Sequence, residues 1–433
     1  MSVFIHGCEI VGPDGVERGD VLIRGNSIVA IGLDLPVPTG ARSIDATGCV
    51  VMPGLVDIQT HLREPGTEEA ETIETGARGA ALGGYTAVVA MPNTHPTIDS
   101  PSIVRDVLAI AEGALCEVIP AAAMTVGRKG ELLTPMGELA SMGVRIFTDN
   151  ARGVQDPALM RRIMEYATGL VAVTDGAPVV LAQHCQVDAL TEGGHMHEGE
   201  WSTRLGIAGL PREAETLMMR RDIALAQLTG ARIHFQHVST AEGVEIVRRA
   251  KADGVNVTAE VTPHHLTLTD AVCASYDPVF KVLPPLRTDS DVAALRAGLV
   301  DGAIDCIATG HAPHEPHTKE FPFDQAPPGM LGLETALALV LTELDLPIER
   351  VVELMSTAPA AIAGVADRHG GPIEEGNRAN LAIVDPNAEW TVSGTAMASR
   401  SHNTPYEGRT LSGHVRYTIF EGEITVDEGV ATR

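Results

Sequence analysis

Aromatic side chains are scarce in this chain, at 3% of 433 residues, so it lacks the stacking platforms that single-stranded nucleic-acid binders lay out for bases. Positive charge is also in short supply: 31 Lys and Arg stand against 57 Asp and Glu, a formal net charge of −26. That balance argues against DNA, RNA and anionic membrane surfaces as partners, because each needs a basic patch. No apolar run reaches the roughly 18 residues of a membrane-spanning helix. The opening residues carry no signal-peptide pattern, so the expected compartment is the cytoplasm. Six cysteines are scattered with no Cys-x-x-Cys, several inside apolar runs such as Asp305-Cys306-Ile307-Ala308, and they read as buried, reduced thiols. No Gly-x-Gly-x-x-Gly follows an early strand, and there is neither a short-period repeat nor a low-complexity segment.

What the chain does have is Gly, Ala and Val in quantity and a strict alternation of short apolar runs with helical patterns. Residues 1–53 read as β, with Val3-Phe4-Ile5, Val21-Leu22-Ile23 and Ser27 to Ile31 divided by Gly, Pro and Asp turns. Residues 366–433 have the same character, in Asn380 to Asp385, Val415 to Ile419 and Glu423 to Val426. Neither end is large enough for a core of its own, so the two are expected to form one composite β-sandwich. Between them, over 54–365, strands such as Ala87 to Met91, Val179 to Ala182, Arg232 to Phe235 and Ile304 to Ala308 alternate with helices at Ser102 to Glu112, Pro157 to Gly169, Arg212 to Thr229, Ala241 to Asp253 and Asp289 to Val300. About eight such units predict an α/β protein with a closed (β/α)₈ TIM barrel, with an open doubly wound sheet as the fallback.

The chemistry gathers where those strands end. A strand expected over Cys49 to Ile58 runs into Gln59-Thr60-His61-Leu62-Arg63, and His61 and Arg63, two apart, point the same way in extended chain. Later strands run into Met91-Pro92-Asn93-Thr94, Thr148-Asp149-Asn150, Gln183-His184-Cys185-Gln186, Gln236-His237-Val238-Ser239 and Thr309-Gly310-His311-Ala312-Pro313-His314. A lone strand-end histidine is usually a structural hydrogen-bonder. His61, His184 and His237 recurring at separate strand ends are better read as a set, because a barrel brings those ends to one mouth. Two of them with Asp149 would make a His₂Asp zinc set. His195 and His197 have ligand-like spacing but sit in a Gly-rich polar loop and are not assigned to metal. His264-His265 read as structural or as neighbours of a substrate.

These motifs together resemble the class I dihydroorotases of the cyclic amidohydrolase superfamily. The likeness spans nearly the whole chain: Pro53 to Asp57, His61 to Gly66, Met91 to Thr94, His237 to Ser239, Thr258 to His265, Pro284 to Arg287, His311 to His314, Gly329 to Gly332 and Ala379 to Leu381. It implies a distorted barrel with a sandwich built from the termini, zinc as cofactor, and reversible ring closure of N-carbamoyl-aspartate to dihydroorotate. Related hydantoinases bridge two metals with a carbamylated lysine; no lysine lies in Val144 to Asn150. By the resemblance, Arg63, Asn93 and His314 hold the substrate carboxylate, and His61, Asp149, His184 and His237 are metal ligands.

Several positions depart from the family pattern. Gln59 stands where Asp-x-His-x-His requires a zinc-binding His, and an amide oxygen is a poor zinc ligand. Gly310 stands where an Asp binds metal and shuttles a proton, and glycine can do neither. Leu283 replaces an Asn, Asn150-Ala151 replace Asp-Gly, and Gln186-Val187 replace Glu-Asp. No catalytic residue is therefore intact. Losing a general base costs ~10²–10⁴ in rate and losing metal activation of water costs more. The expected function is that of a degenerate dihydroorotase homologue, holding no zinc or at most one, that serves as a structural or regulatory partner of aspartate transcarbamoylase in a homo- or hetero-oligomer. The alternatives are a working one-metal dihydroorotase built on His184, His237, Asp149 and Arg63, and a sensor of a small carboxylate pyrimidine precursor.

Overall fold

Residues 2–12 and 15–433 are described by the computed structural model. Strands Ser2–Gly12, Gly15–Arg24, Ser27–Gly32, Arg42–Asp45 and Val50–Pro53 from one end join Leu381–Thr391, Thr410–Phe420, Glu423–Asp427 and Val430–Ala431 from the other in one nine-stranded sheet. The seam between the two ends is antiparallel, with Val51 opposite Ile383. Ile5, Val21, Ile23, Val51, Ile383 and Ile419 are buried together on the inner faces. In the first strand Val3, Phe4 and Ile5 are buried in succession, and after a register shift between Ile5 and Cys8 burial alternates over Gly7 to Ile10, as a strand with one apolar face requires.

The run from Cys49 to Ile58, expected as one strand, is two. Val50–Pro53 belongs to the sandwich, while Leu55–Thr60 opens the barrel. The break falls at Gly54, whose N–H donates to Asn380 O (2.8 Å), while the next N–H, of Leu55, donates to Gly84 O (2.9 Å). Any side chain at 54 would run into Thr86, so only glycine lets the chain cross from one sheet to the other here.

The barrel has eight parallel strands: β1 Leu55–Thr60, β2 Tyr85–Ala90, β3 Glu117–Pro120, β4 Ile146–Phe147, β5 Val180–Gln183, β6 Ile233–Phe235, β7 Val257–Val261 and β8 Cys306–Ile307. β1–β3 form one sheet and β4–β8 another. The seams are single parallel bridges, Ala122 to Phe147 and Thr60 to His311, so the barrel closes in distorted form. The architecture is thus a distorted TIM barrel with a β-sandwich made from both ends. Helices fill the expected crossovers. Pro157–Gly169 starts at Asp156, whose carboxylate accepts the Ala158 N–H, has proline at its first position, and buries Leu159, Met160, Ile163, Met164 and Ala167. Among the described residues no helix is long and apolar enough to cross a membrane.

The barrel interior just below the mouth is polar. Asp57 on β1 accepts from Thr309 N and Thr309 Oγ1, both at 2.7 Å, tying the first strand to the end of the last. His234 on β6 bonds Thr258 Oγ1 (2.9 Å) and Glu260 Oε2 (3.1 Å), and Glu260 also accepts the His237 N–H (3.3 Å). These bonds fix the strand ends on which the pocket is built.

Candidate functional site

The mouth of the barrel holds a cavity of about 220 Å³ to which seven of the eight strands contribute through the residues at or just beyond their C-terminal ends. Gln59 is the penultimate residue of β1, with His61 and Arg63 just beyond it; Asn93 follows β2, Asn150 and Ala151 follow β4, and His184 and His237 follow β5 and β6. Thr262 and His264 follow β7, and Gly310, Ala312 and His314 follow β8, with Val282, Leu283, Pro328 and Gly329 covering one side. The structure therefore brings together His61, Arg63, Asn93, His184, His237 and His314, along with the departures Gln59, Leu283 and Gly310.

Asp149, expected as a metal ligand, is not among them. Its carboxylate accepts the backbone N–H groups of Met124 (2.9 Å) and Thr125 (3.0 Å) and the Thr125 hydroxyl, so it ties β4 to the loop after β3. The neighbouring Asn150 faces the cavity instead. Its Nδ2 donates to Gln236 Oε1 (3.0 Å), which also accepts from Thr148 Oγ1 (3.1 Å); this fixes the amide so that Oδ1 points away and has no partner. The position facing the pocket is thus a neutral amide.

His184 Nδ1 and His237 Nε2 share a hydrogen bond of 2.9 Å, ring edge to ring face. Burial drives both imidazoles toward the neutral form, His184 down to about 4, and His184 Nε2 has no partner in the protein. On the other side His61 Nδ1 bonds Asn93 Oδ1 at 2.8 Å, and burial with Arg63 beside it holds His61 well below the ordinary histidine range. Arg63 Nε donates to Pro313 O (3.0 Å), and among the described residues no carboxylate comes within ion-pair distance of its guanidinium. Burial lowers Arg63 to about 10 without discharging it. His314 Nε2 bonds Pro328 O (2.9 Å) and is held neutral, near 3, by burial and by Arg63. Arg63 (φ +62°) and His237 (φ +36°) occupy left-handed backbone, strain of the kind found where a site dictates side-chain direction, while Gly310 (φ +59°) adopts the same region freely.

A zinc pair does not fit this donor set. Zinc is held by imidazole, thiolate and carboxylate, and among the described residues no Asp, Glu or Cys lines the cavity. Gln59 and Asn150 offer amides, Gly310 offers nothing, and Arg63 adds a positive charge. The largest remnant is the His184–His237 pair. One group of three ligand-type side chains does come within metal distance among the described residues, His234, Glu260 and Cys306. It lies sealed in the barrel interior with its imidazole already bonded on both nitrogens, and burial pushes the Cys306 thiol far above its ordinary range. His195 and His197 face cations, Lys281 Nζ (3.3 Å) and Arg287 Nη1 (3.0 Å), which suits no metal role. His265 is structural, bonded to Thr262 Oγ1 (2.7 Å) and Pro284 O (3.1 Å), whereas His264 reaches the cavity wall.

Sequence reading missed the residues that hold the walls. Asn403, from the terminal region, accepts the His314 N–H (3.3 Å) and donates to Ala312 O (3.0 Å) and Gly329 O (3.1 Å). Glu71 pairs with His311 Nε2 (3.3 Å) and accepts from the Ser399 hydroxyl (2.5 Å). Each joins segments too far apart in the chain for any local pattern to connect.

Comparison with known proteins agrees with this architecture. Residues 48–243 match a family described as dihydro-orotase-like. The chain is 49% identical over 432 residues to a dihydroorotase of Mycobacterium leprae, covering 98% of each, and 47% identical over 438 residues to one of Streptomyces coelicolor, covering 100% of each. Its fold superimposes on an L-hydantoinase from Arthrobacter aurescens with a TM-score of 0.88, covering 100% of this chain and 97% of the other at 24% identity, a likeness of fold alone.

Proposed function

Because this chain belongs to the dihydroorotase family of cyclic amidohydrolases, we propose that it is a non-catalytic member of it, kept in the cytoplasm as a structural or regulatory partner of aspartate transcarbamoylase. The observation that carries this reading is a barrel mouth that, among the described residues, is lined by no carboxylate, with Gln59, Asn150 and Gly310 at the positions where the chemistry needs a ligand, a bridge and a base. A hydrolase that attacks with a metal-bound water needs the ion, a way to deprotonate the water, and a pocket for the substrate. Only the third survives, in Arg63, Asn93 and His314. The partner role rests on the family resemblance together with a full-length fold kept around a disabled mouth.

Purified protein is expected to give no dihydroorotate hydrolysis above a blank, to carry less than one zinc per chain, and to co-purify with a transcarbamoylase subunit. The second reading, a one-metal dihydroorotase, is favoured by the intact His184–His237 pair with His184 Nε2 uncommitted. Chelator-sensitive turnover with about one bound zinc would establish it and defeat the first.

A further inference from the structure

A second cavity, also of about 220 Å³, lies away from the mouth, where the terminal sheet meets the barrel. The end of helix Ile73–Leu82, the start of helix Ala336–Glu343 and strands Leu381–Thr391 and Thr410–Phe420 surround it. Its polar centre is the largely buried Glu334. Glu334 Oε1 accepts the Ala398 N–H (2.9 Å). Among the described residues Oε2 accepts no hydrogen bond, and no cation comes within ion-pair distance of the carboxylate. Burial, with Glu71 nearby, pushes Glu334 up to about 7. Surplus carboxylates on the surface are satisfied by water, but one withdrawn from water needs a counter-charge to stay ionised. His414 also lines the cavity, and its ring nitrogens make no hydrogen bond among the described residues. Its ring stands edge to face with Trp390 at 6.4 Å. Trp390 Nε1 donates to Gly413 O (3.1 Å), which holds the indole in place, and Met397 and Leu337 extend the apolar wall.

We propose that this cavity binds a small primary ammonium ion carried on an apolar body. The ammonium donates to Glu334 Oε2 and to the His414 ring, and the body lies against Trp390, Met397 and Leu337. Indole and thioether surfaces both suit such an ion, the indole through the negative face of its ring. The inference is independent of whether the barrel mouth is catalytic. The bond from Ala398 places the site at one end of the segment that holds the mouth walls, through Ser399 to Glu71 and through Asn403 to His314. An occupant therefore steadies that segment.

The test is calorimetric titration of the full chain, at near-physiological salt to screen loose binding to the acidic surface, with benzylammonium, benzyl alcohol and benzoate. Benzylammonium is expected to bind saturably and about tenfold or more tighter than benzyl alcohol, as a charge-assisted hydrogen bond requires, and benzoate is expected not to bind. Glu334→Gln keeps the acceptor for Ala398 and is expected to erase the preference for the cation. Ala396→Trp, on the exposed rim of the cavity, is expected to block binding at an unchanged thermal midpoint, which serves if the first variant folds poorly. Hydrogen exchange is expected to slow over residues 394–403 when benzylammonium is added. Equal affinity for the amine and the alcohol, no saturable binding, or benzylammonium binding that survives both substitutions overturns the inference.

Discussion

At the scale of single residues, the departure from the family pattern at position 310 extends into the backbone. Gly310 sits at φ +59°, and a Cβ there would lie 3.0 Å from Thr262 Cγ2 and 3.2 Å from His264 Cε1. The chain has settled into a conformation that an aspartate enters only with strain. Gly310→Asp is therefore expected to cost about 1–3 kcal/mol in urea denaturation and to restore no turnover alone. An unchanged midpoint would mean the loop relaxes freely. Gln59→His with Asn150→Asp should do what neither does singly: raise bound zinc toward one equivalent, read by elemental analysis after dialysis. These two residues also mark how far the sequence could be read. Gln59 and Gly310 stand out because the motifs around them are otherwise complete. Asp149 and Asn150 do not, because both are polar strand-end residues one apart. Only the hydrogen bonds of Met124 and Thr125, from a loop some 25 positions away, decide which of them faces inward.

At the scale of elements, the alternation of strand and helix was legible because each crossover repeats the same two periods. The helix over Pro157–Gly169 ends where its spacing predicts. The two strands hidden in one apolar run were not legible, since Val50–Pro53 and Leu55–Thr60 are equally buried and nothing local marks Gly54 as a crossing. The same limit hid Asn403, which fastens Ala312, His314 and Gly329 from about 90 positions away for the first two. Removing that side chain strands a buried carbonyl on each of two loops. Asn403→Ala should lower stability by about 1–3 kcal/mol in urea denaturation; an unchanged midpoint would show the wall to be held by other contacts.

At the scale of the whole molecule, the buried histidines set a pH response. Burial holds His184 and His265 near 4 and His314 near 3, against an ordinary value of 6.5. Between those limits the unfolded chain takes up protons that the fold refuses, so stability declines as pH falls from about 6.5 toward 4. The thermal midpoint at pH 5 should lie several degrees below that at pH 7, and a flat profile would contradict the burial that produces these shifts. Synthesis meets a different constraint. Val50–Pro53 has its sandwich partner in Leu381–Val384, more than three hundred residues downstream. At ~5–20 residues per second on the ribosome, that strand waits on the order of half a minute before its companion emerges. During that interval the nascent chain carries a bare apolar edge that must be shielded from its neighbours, so translation speed and chaperone supply set the yield of this protein before its native stability does.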